Sequence, residues 1–165
     1  MFDKLLSSIG IGAAKVDTRL AKKSYTVGET IEGEVFIKGG KNEQDIDNIY
    51  LTLMTDYVVE VDDKKVRRSV ALDKILLTER FTIAPNEEKV VPFQIKVPYE
   101  APVTMGSTRV WIQTGLDIKM AIDPQDKDFL EIKPHQLVRE FIDAAGRLGF
   151  RLRQVDCEKT PSYFR

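Results

Sequence analysis

One cysteine, one histidine and one tryptophan occur in 165 residues. With Cys157 alone, no disulfide can close within the chain, which fits a reducing compartment. His135 and Cys157 give only two nitrogen or sulfur ligands, too few for a zinc site, so neither a metal nor a cofactor is expected. No apolar run approaches the roughly 20 residues of a membrane-spanning helix. The N-terminal stretch "MFDKLLSSIGIGAAK" is not a secretory leader, because Asp3 spoils a basic start and Ser7, Ser8 and two glycines interrupt the apolar run. A cytoplasmic location follows as the expectation. Lysine and arginine total 25 against 26 acids, for a net charge of −1. Such a chain lacks the bulk field that draws proteins to nucleic acid, so no nucleic-acid partner is expected.

Catalytic signatures are missing as well. There is no G-x-S-x-G, and "GIGAAK" lacks the spacing of a phosphate loop and follows no strand. Cys157 has no general base marked for it and reads as a small, partly buried side chain. His135 reads as a polar residue at a helix start. The mixed charges of "VDDKKVRR" read as solvated hairpin surface. Trp111, with Arg109 and Gln113, is placed to line a binding face, but a tryptophan in a half-buried strand more often belongs to a core. The expectation is a protein that is not an enzyme.

What the sequence does contain is period-two alternation. Hydrophobic residues are 42% and charged residues 31%, the balance of a soluble globular chain. In "YTVGETIEGEVFIKGG" (Tyr25–Gly40), Ile31, Gly33, Val35 and Ile37 share one face, and Glu32, Glu34 and Lys38 take the other. A strand with one buried and one wet face reads this way. "KVDTRL", "DNIYLTLMTDY", "KILLTERFTI" and "KVVPFQIKVP" repeat the pattern. "VVEVDDKKVRRSV" reads as two short strands around a loop at Asp62–Lys65. "TRVWIQTGLDIKMAI" is long, with Gly115 as the candidate bend or bulge. Seven or eight short strands with no helix between them favour an antiparallel sandwich or barrel. The expected core is Val16, Leu20, Ile31, Val35, Ile37, Leu51, Leu53, Phe93, Ile95 and Val110.

Both ends of the chain depart from this pattern. Phe2, Leu5, Leu6 and Ile9 fall at helical spacing, which defines a short amphipathic segment over residues 1–12. These four residues are the candidate interaction surface, for self-association or for a lipid membrane, although Lys4 and Lys15 offer little electrostatic help toward a membrane. Asp123-Pro124, in a polar stretch, marks a boundary. Beyond it, "PHQLVREFIDAAGRLGF" carries Leu137, Val138, Phe141, Ile142, Ala145 and Leu148 on one helical face, with Gly149 as the C-terminal cap. "FRLRQVDCEK" reads as one more strand. A helix and a single strand cannot make a domain. Either this tail packs on the sandwich or it belongs to a further lobe.

A family resemblance bears on that choice. "YTVGETIEGEVFI" resembles the Tyr-x-Pro-Gly-Glu-x-Val-x-Gly-x-Val pattern of arrestin-like domains, with Val27 in the place of proline. "VPFQIKVP" looks like their Pro-Phe strand. Across nearly the whole chain, "IGIGAAKVDT", "FIKGG", "LTERFTI", "VWIQTGLDIKMAIDPQDKDFLEIKPH" and "LGFRLRQVDC" resemble the bacterial sporulation-control protein family of the stage-zero M type. The resemblance implies an all-β fold. In it, an arrestin-like antiparallel sandwich over residues 13–131 follows a short N-terminal helix, and residues 132–165 open a second lobe of which only a helix and a strand are present. It also implies a regulator of sporulation that acts without catalysis, as a scaffold or adaptor for other proteins. No phosphate-sensing role transfers to Lys22-Lys23, which match no motif.

Overall fold

The computed structural model describes residues 13–118 and 125–158. Their elements are β1 (Lys15–Leu20), β2 (Ser24–Thr26), β3 (Thr30–Lys38), β4 (Gln44–Val61), β5 (Lys64–Thr78), β6 (Phe81–Ile83), β7 (Glu88–Lys96), β8 (Val110–Ile118), β9 (Gln125–Lys133) and the helix α1 (Gln136–Arg147). Strands β1, β3 and β7 form one sheet in that order. The second sheet runs β2-β9-β8-β4-β5, with β6 also paired to β4. Every pairing is antiparallel except β2 with β9. The all-β sandwich with a C-terminal helix is therefore the observed architecture, while the proposed N-terminal helix lies outside the described residues.

Alternation in the sequence becomes the packing between the sheets. Ile31, Val35 and Ile37 of β3 and Phe93 and Ile95 of β7 join one buried cluster with Leu51 and Leu53 of β4 and Val110 of β8. Val16 and Leu20 pack against that cluster while staying partly exposed. Each fully buried aliphatic side chain contributes about 1.5–3 kcal/mol over its exposed state. Gly33 sits in the middle of the β3 face. A Cβ there would lie 2.5 Å from the Arg19 carbonyl oxygen and 2.7 Å from the Phe93 ring, so the glycine is what lets β1 and Phe93 close over β3. Gly28 has φ +82° in the turn before β3, a backbone that a side chain would strain.

Three expectations change. First, the short strands on either side of Asp62 are the outer halves of two long ones, because β4 and β5 form a continuous hairpin with only Asp62 and Asp63 as its turn. Both aspartates have positive φ, 50° and 59°, the geometry of the two-residue turn that matches strand twist. Second, Gly115 is no bulge: it pairs in register with Tyr50 and with Gln125. The irregularity falls opposite, between Ile46 and Asn48 of β4. The extra residue there turns both Ile46 and Ile49 inward, and both are fully buried. Third, the polar stretch after Asp123-Pro124 is not a boundary. Residues from Gln125 form β9, paired to both β8 and β2. Its polarity has a simple source: the inward positions of β9 are Asp126 and Asp128 at one end and buried Leu130 and Ile132 at the other.

Asp126 joins the two sheets, because its Oδ2 accepts the backbone N–H of Thr18 in β1 at 2.6 Å. Beside it, Asp128 is pushed up to about 6, first by burial and then by the negative charges of Asp126 and Asp17, against a smaller pull from Lys23. A carboxyl raised above its unfolded value stabilises the fold fully at acid pH and loses that contribution as pH rises through about 6. Asp128→Asn should therefore raise the melting temperature relative to the parent at pH 8 and bring little or no gain at pH 4. Thermal denaturation at both pH values checks this, and an equal shift at the two would contradict it.

Candidate functional site

Helix α1 starts where β9 ends. Its N-cap is His135, whose Nδ1 accepts the N–H of Leu137 at 3.3 Å, so the single histidine is a capping group. At the other end Gly149 takes φ +91°. The N–H of Phe150 bonds the Ala145 carbonyl at 3.1 Å and that of Gly149 bonds the Gly146 carbonyl at 3.0 Å, closing the helix in a Schellman motif. The sequence signals for both ends thus hold.

What the helix does with its apolar side is the main feature of this region. No residue of α1 is buried. Leu137, Val138 and Phe141 are exposed, Phe141 at 76%, and Leu148, Phe150 and Leu152 extend the apolar surface past the helix end, Leu148 at 78%. Scattered apolar residues on a surface are ordinary, but a contiguous set of this kind marks an interaction site. Between the helix and the end of the sandwich lies a groove of about 790 Å³, lined by Thr26, Met105, Lys133, Arg139, Ile142 and Asp143 among others. The helix therefore stands off the sandwich rather than packing on it.

Beyond the helix, "FRLRQVDCEK" is not a strand. Residues 151–157 have no regular secondary structure, and a single bridge joins Val58 to Glu158. Only one neighbouring edge is offered to this segment, so no strand forms. That edge begins at Asp56. Pairing of β4 with β8 ends at Thr55 and Val110, and Asp56 follows directly. Its carboxylate, 2% exposed, accepts Arg109 N–H at 3.0 Å, Arg109 Nε at 2.6 Å and Arg67 Nη1 at 2.8 Å. Burial alone would raise this carboxyl, yet the hydrogen bonds from Arg67 and Arg109 outweigh it and hold it below the usual carboxylate range. Nothing in the alternation of the sequence marks Asp56 as interior, because it shares its face of β4 with the half-buried Tyr50, Thr52, Met54 and Val58.

The remaining sequence candidates are dispersed. Cys157 is half-buried, and burial, with the Asp56 charge second, pushes its thiol up, which is the opposite of an activated nucleophile. Trp111 is buried but faces away from the inter-sheet cluster, under Lys127 at 3.9 Å and beside the Phe129 ring at 5.9 Å. Lys22 pairs with Glu29 and lies over the Tyr25 ring. Phe2, Leu5, Leu6 and Ile9 lie outside the described residues. Among the described residues, no helix is long and apolar enough to cross a membrane.

Fold and site together define an all-β sandwich domain that carries an amphipathic helix outside its core. Comparison with known proteins narrows this class. The sequence model of the SpoOM protein family matches residues 2–165, and the chain belongs to that family. The sporulation-control protein Spo0M of Bacillus subtilis (strain 168) is 43% identical over 164 residues, covering 99% of this chain and 64% of the relative. The crystal structure of Spo0M from Bacillus subtilis superposes with a TM-score of 0.90 at 42% identity, over 94% of this chain and 63% of that one. The chain therefore spans somewhat less than two thirds of the length of these relatives.

An uncovered face carries no packing energy, so truncating it should leave stability nearly unchanged. Phe141→Ala and Leu148→Ala should each shift the unfolding free energy by less than about 0.5 kcal/mol, the usual range for surface positions. Leu53→Ala, fully buried, should cost about 2–5 kcal/mol. Urea denaturation of the three variants checks the contrast, and a loss at Phe141 comparable to that at Leu53 would contradict it.

Proposed function

We propose that this chain is the sandwich lobe of a cytoplasmic sporulation regulator that works without catalysis, as a scaffold or adaptor for other proteins. In this reading the apolar face of α1 is the seat of a second lobe of the same polypeptide, and α1 is the element that joins the two. The observation that carries it is the row of exposed large side chains from Leu137 to Leu152 beside a helix with no buried residue. Support for the regulatory role comes from the similarity to a protein named for sporulation control. Support for a second lobe comes from the length of that relative, of which the matched part is 64%. A contiguous aliphatic and aromatic face of this kind marks a surface for another body to cover.

The test uses the longest natural polypeptide of the family that contains this sandwich. Phe141→Asp with Leu148→Asp should leave the sandwich folded, make the polypeptide more susceptible to proteolysis after Arg147 and Arg151, and impair sporulation. Limited proteolysis and a spore count read the two effects. Unchanged cleavage would remove the second-lobe seat, and unchanged cleavage together with normal spore numbers would remove the reading as a whole.

A further inference from the structure

The β4–β5 hairpin outruns its sheet. β4 has β8 beside it only as far as Thr55, so the edge from Tyr57 to Val61 projects past the end of the neighbouring strand. A bare strand edge presents unpaired N–H and C=O groups and is a template for another strand. In this structure the chain itself fills part of it. The Val58 N–H bonds the Cys157 carbonyl at 2.8 Å, and the bridge from Val58 to Glu158 is parallel. Lys65 of β5 reaches Asp156 at 3.3 Å. The Val155 carbonyl passes so close to Gly106 that a Cβ there would lie 2.8 Å from it.

These contacts describe a ligand as much as a tether. The occupying segment is extended, runs parallel to β4, and carries two acids in Val155-Asp156-Cys157-Glu158. The far arm of the hairpin, β5, carries Lys64, Lys65, Arg67 and Arg68, and Lys65 reaches the segment across β4. Its hold is slight: one described backbone hydrogen bond and one exposed ion pair, the latter worth about 0–1 kcal/mol.

We propose that the β4 edge from Tyr57 to Val61 is a strand-acceptor site for an acidic, extended peptide of a partner protein, and that Val155–Glu158 occupies it in cis as a competitor. Strand addition supplies the affinity through main-chain hydrogen bonds, and Lys65 supplies selectivity for an acid at one position. Apparent affinity for the partner is reduced by the fraction of molecules whose edge is closed. The proposal is independent of what covers α1.

The probe is a fluorescent peptide of residues Leu152–Glu158 with Cys157→Ser, titrated into the intact chain by anisotropy. The parent should bind it weakly. Asp156→Lys, which replaces the ion pair to Lys65 with a like-charge contact, should tighten binding severalfold if the edge is closed about nine-tenths of the time. Adding Lys65→Glu to this variant should abolish that gain. Hydrogen exchange at Val58 should speed up in Asp156→Lys, which shows that the edge has opened. Because Asp156 is exposed, the variant keeps its fold. Equal peptide binding by the parent and Asp156→Lys, binding indifferent to Lys65→Glu, or an unchanged exchange rate at Val58 would each overturn the proposal.

Discussion

The buried carboxylate of Asp56 fixes the place where this fold changes character. Before it, β4 lies between β8 and its other neighbours and contributes Ile49, Leu51 and Leu53 to the core. After it, β4 has only β5 and a few residues of the chain's own tail. Asp56 ties together the chain on either side of β4: Arg109, which enters β8, and Arg67 of β5. Breaking such a pair by removing an arginine typically costs about 3–5 kcal/mol, because it leaves the buried carboxylate uncompensated. The two arginines are partly exposed, so the cost here lies at the lower end.

The sandwich is complete without the tail. Its last strand, β9, closes the six-stranded sheet between β8 and β2, and the described apolar core draws on none of α1. The described residues after Lys133 are carried on the outside: a well-capped helix, an apolar surface and a segment that meets the hairpin at Val58. This division explains why the helix keeps strong end signals. A helix without tertiary support depends on its caps and on its own hydrogen bonds, and His135 and Gly149 supply both ends.

Most of the sandwich was legible because alternation is a local signal. Ile31, Val35 and Ile37 declare their face within nine residues, and the structure buries all three. The misread places share a different cause. Strand β2 has three residues, too few to show a period, although it buries Tyr25. β9 looked like a boundary because its first inward positions are aspartates, and an inward carboxylate is recognisable only once Thr18 and Lys23 are known to lie across from it. Glycine is permissive, which makes Gly115 the natural candidate for a bulge, whereas the register slip between Ile46 and Asn48 is set by which isoleucines must face inward. In the tail, the apolar face of α1 was plain in the sequence, but spacing alone does not say whether such a face is covered. The hairpin edge left no sequence trace, since it exists only because β8 stops one residue before Asp56.

The central claim is that α1 and the chain after it ride on a sandwich that is stable without them. Native-state hydrogen exchange, read amide by amide, tests this most directly. The account expects the amides of α1 to exchange through local opening, much faster than those of Leu53 or Ile112, which should exchange only with global unfolding. Protection of α1 equal to that of β4 and β8 would mean that the helix is part of the cooperative core, and would contradict the account.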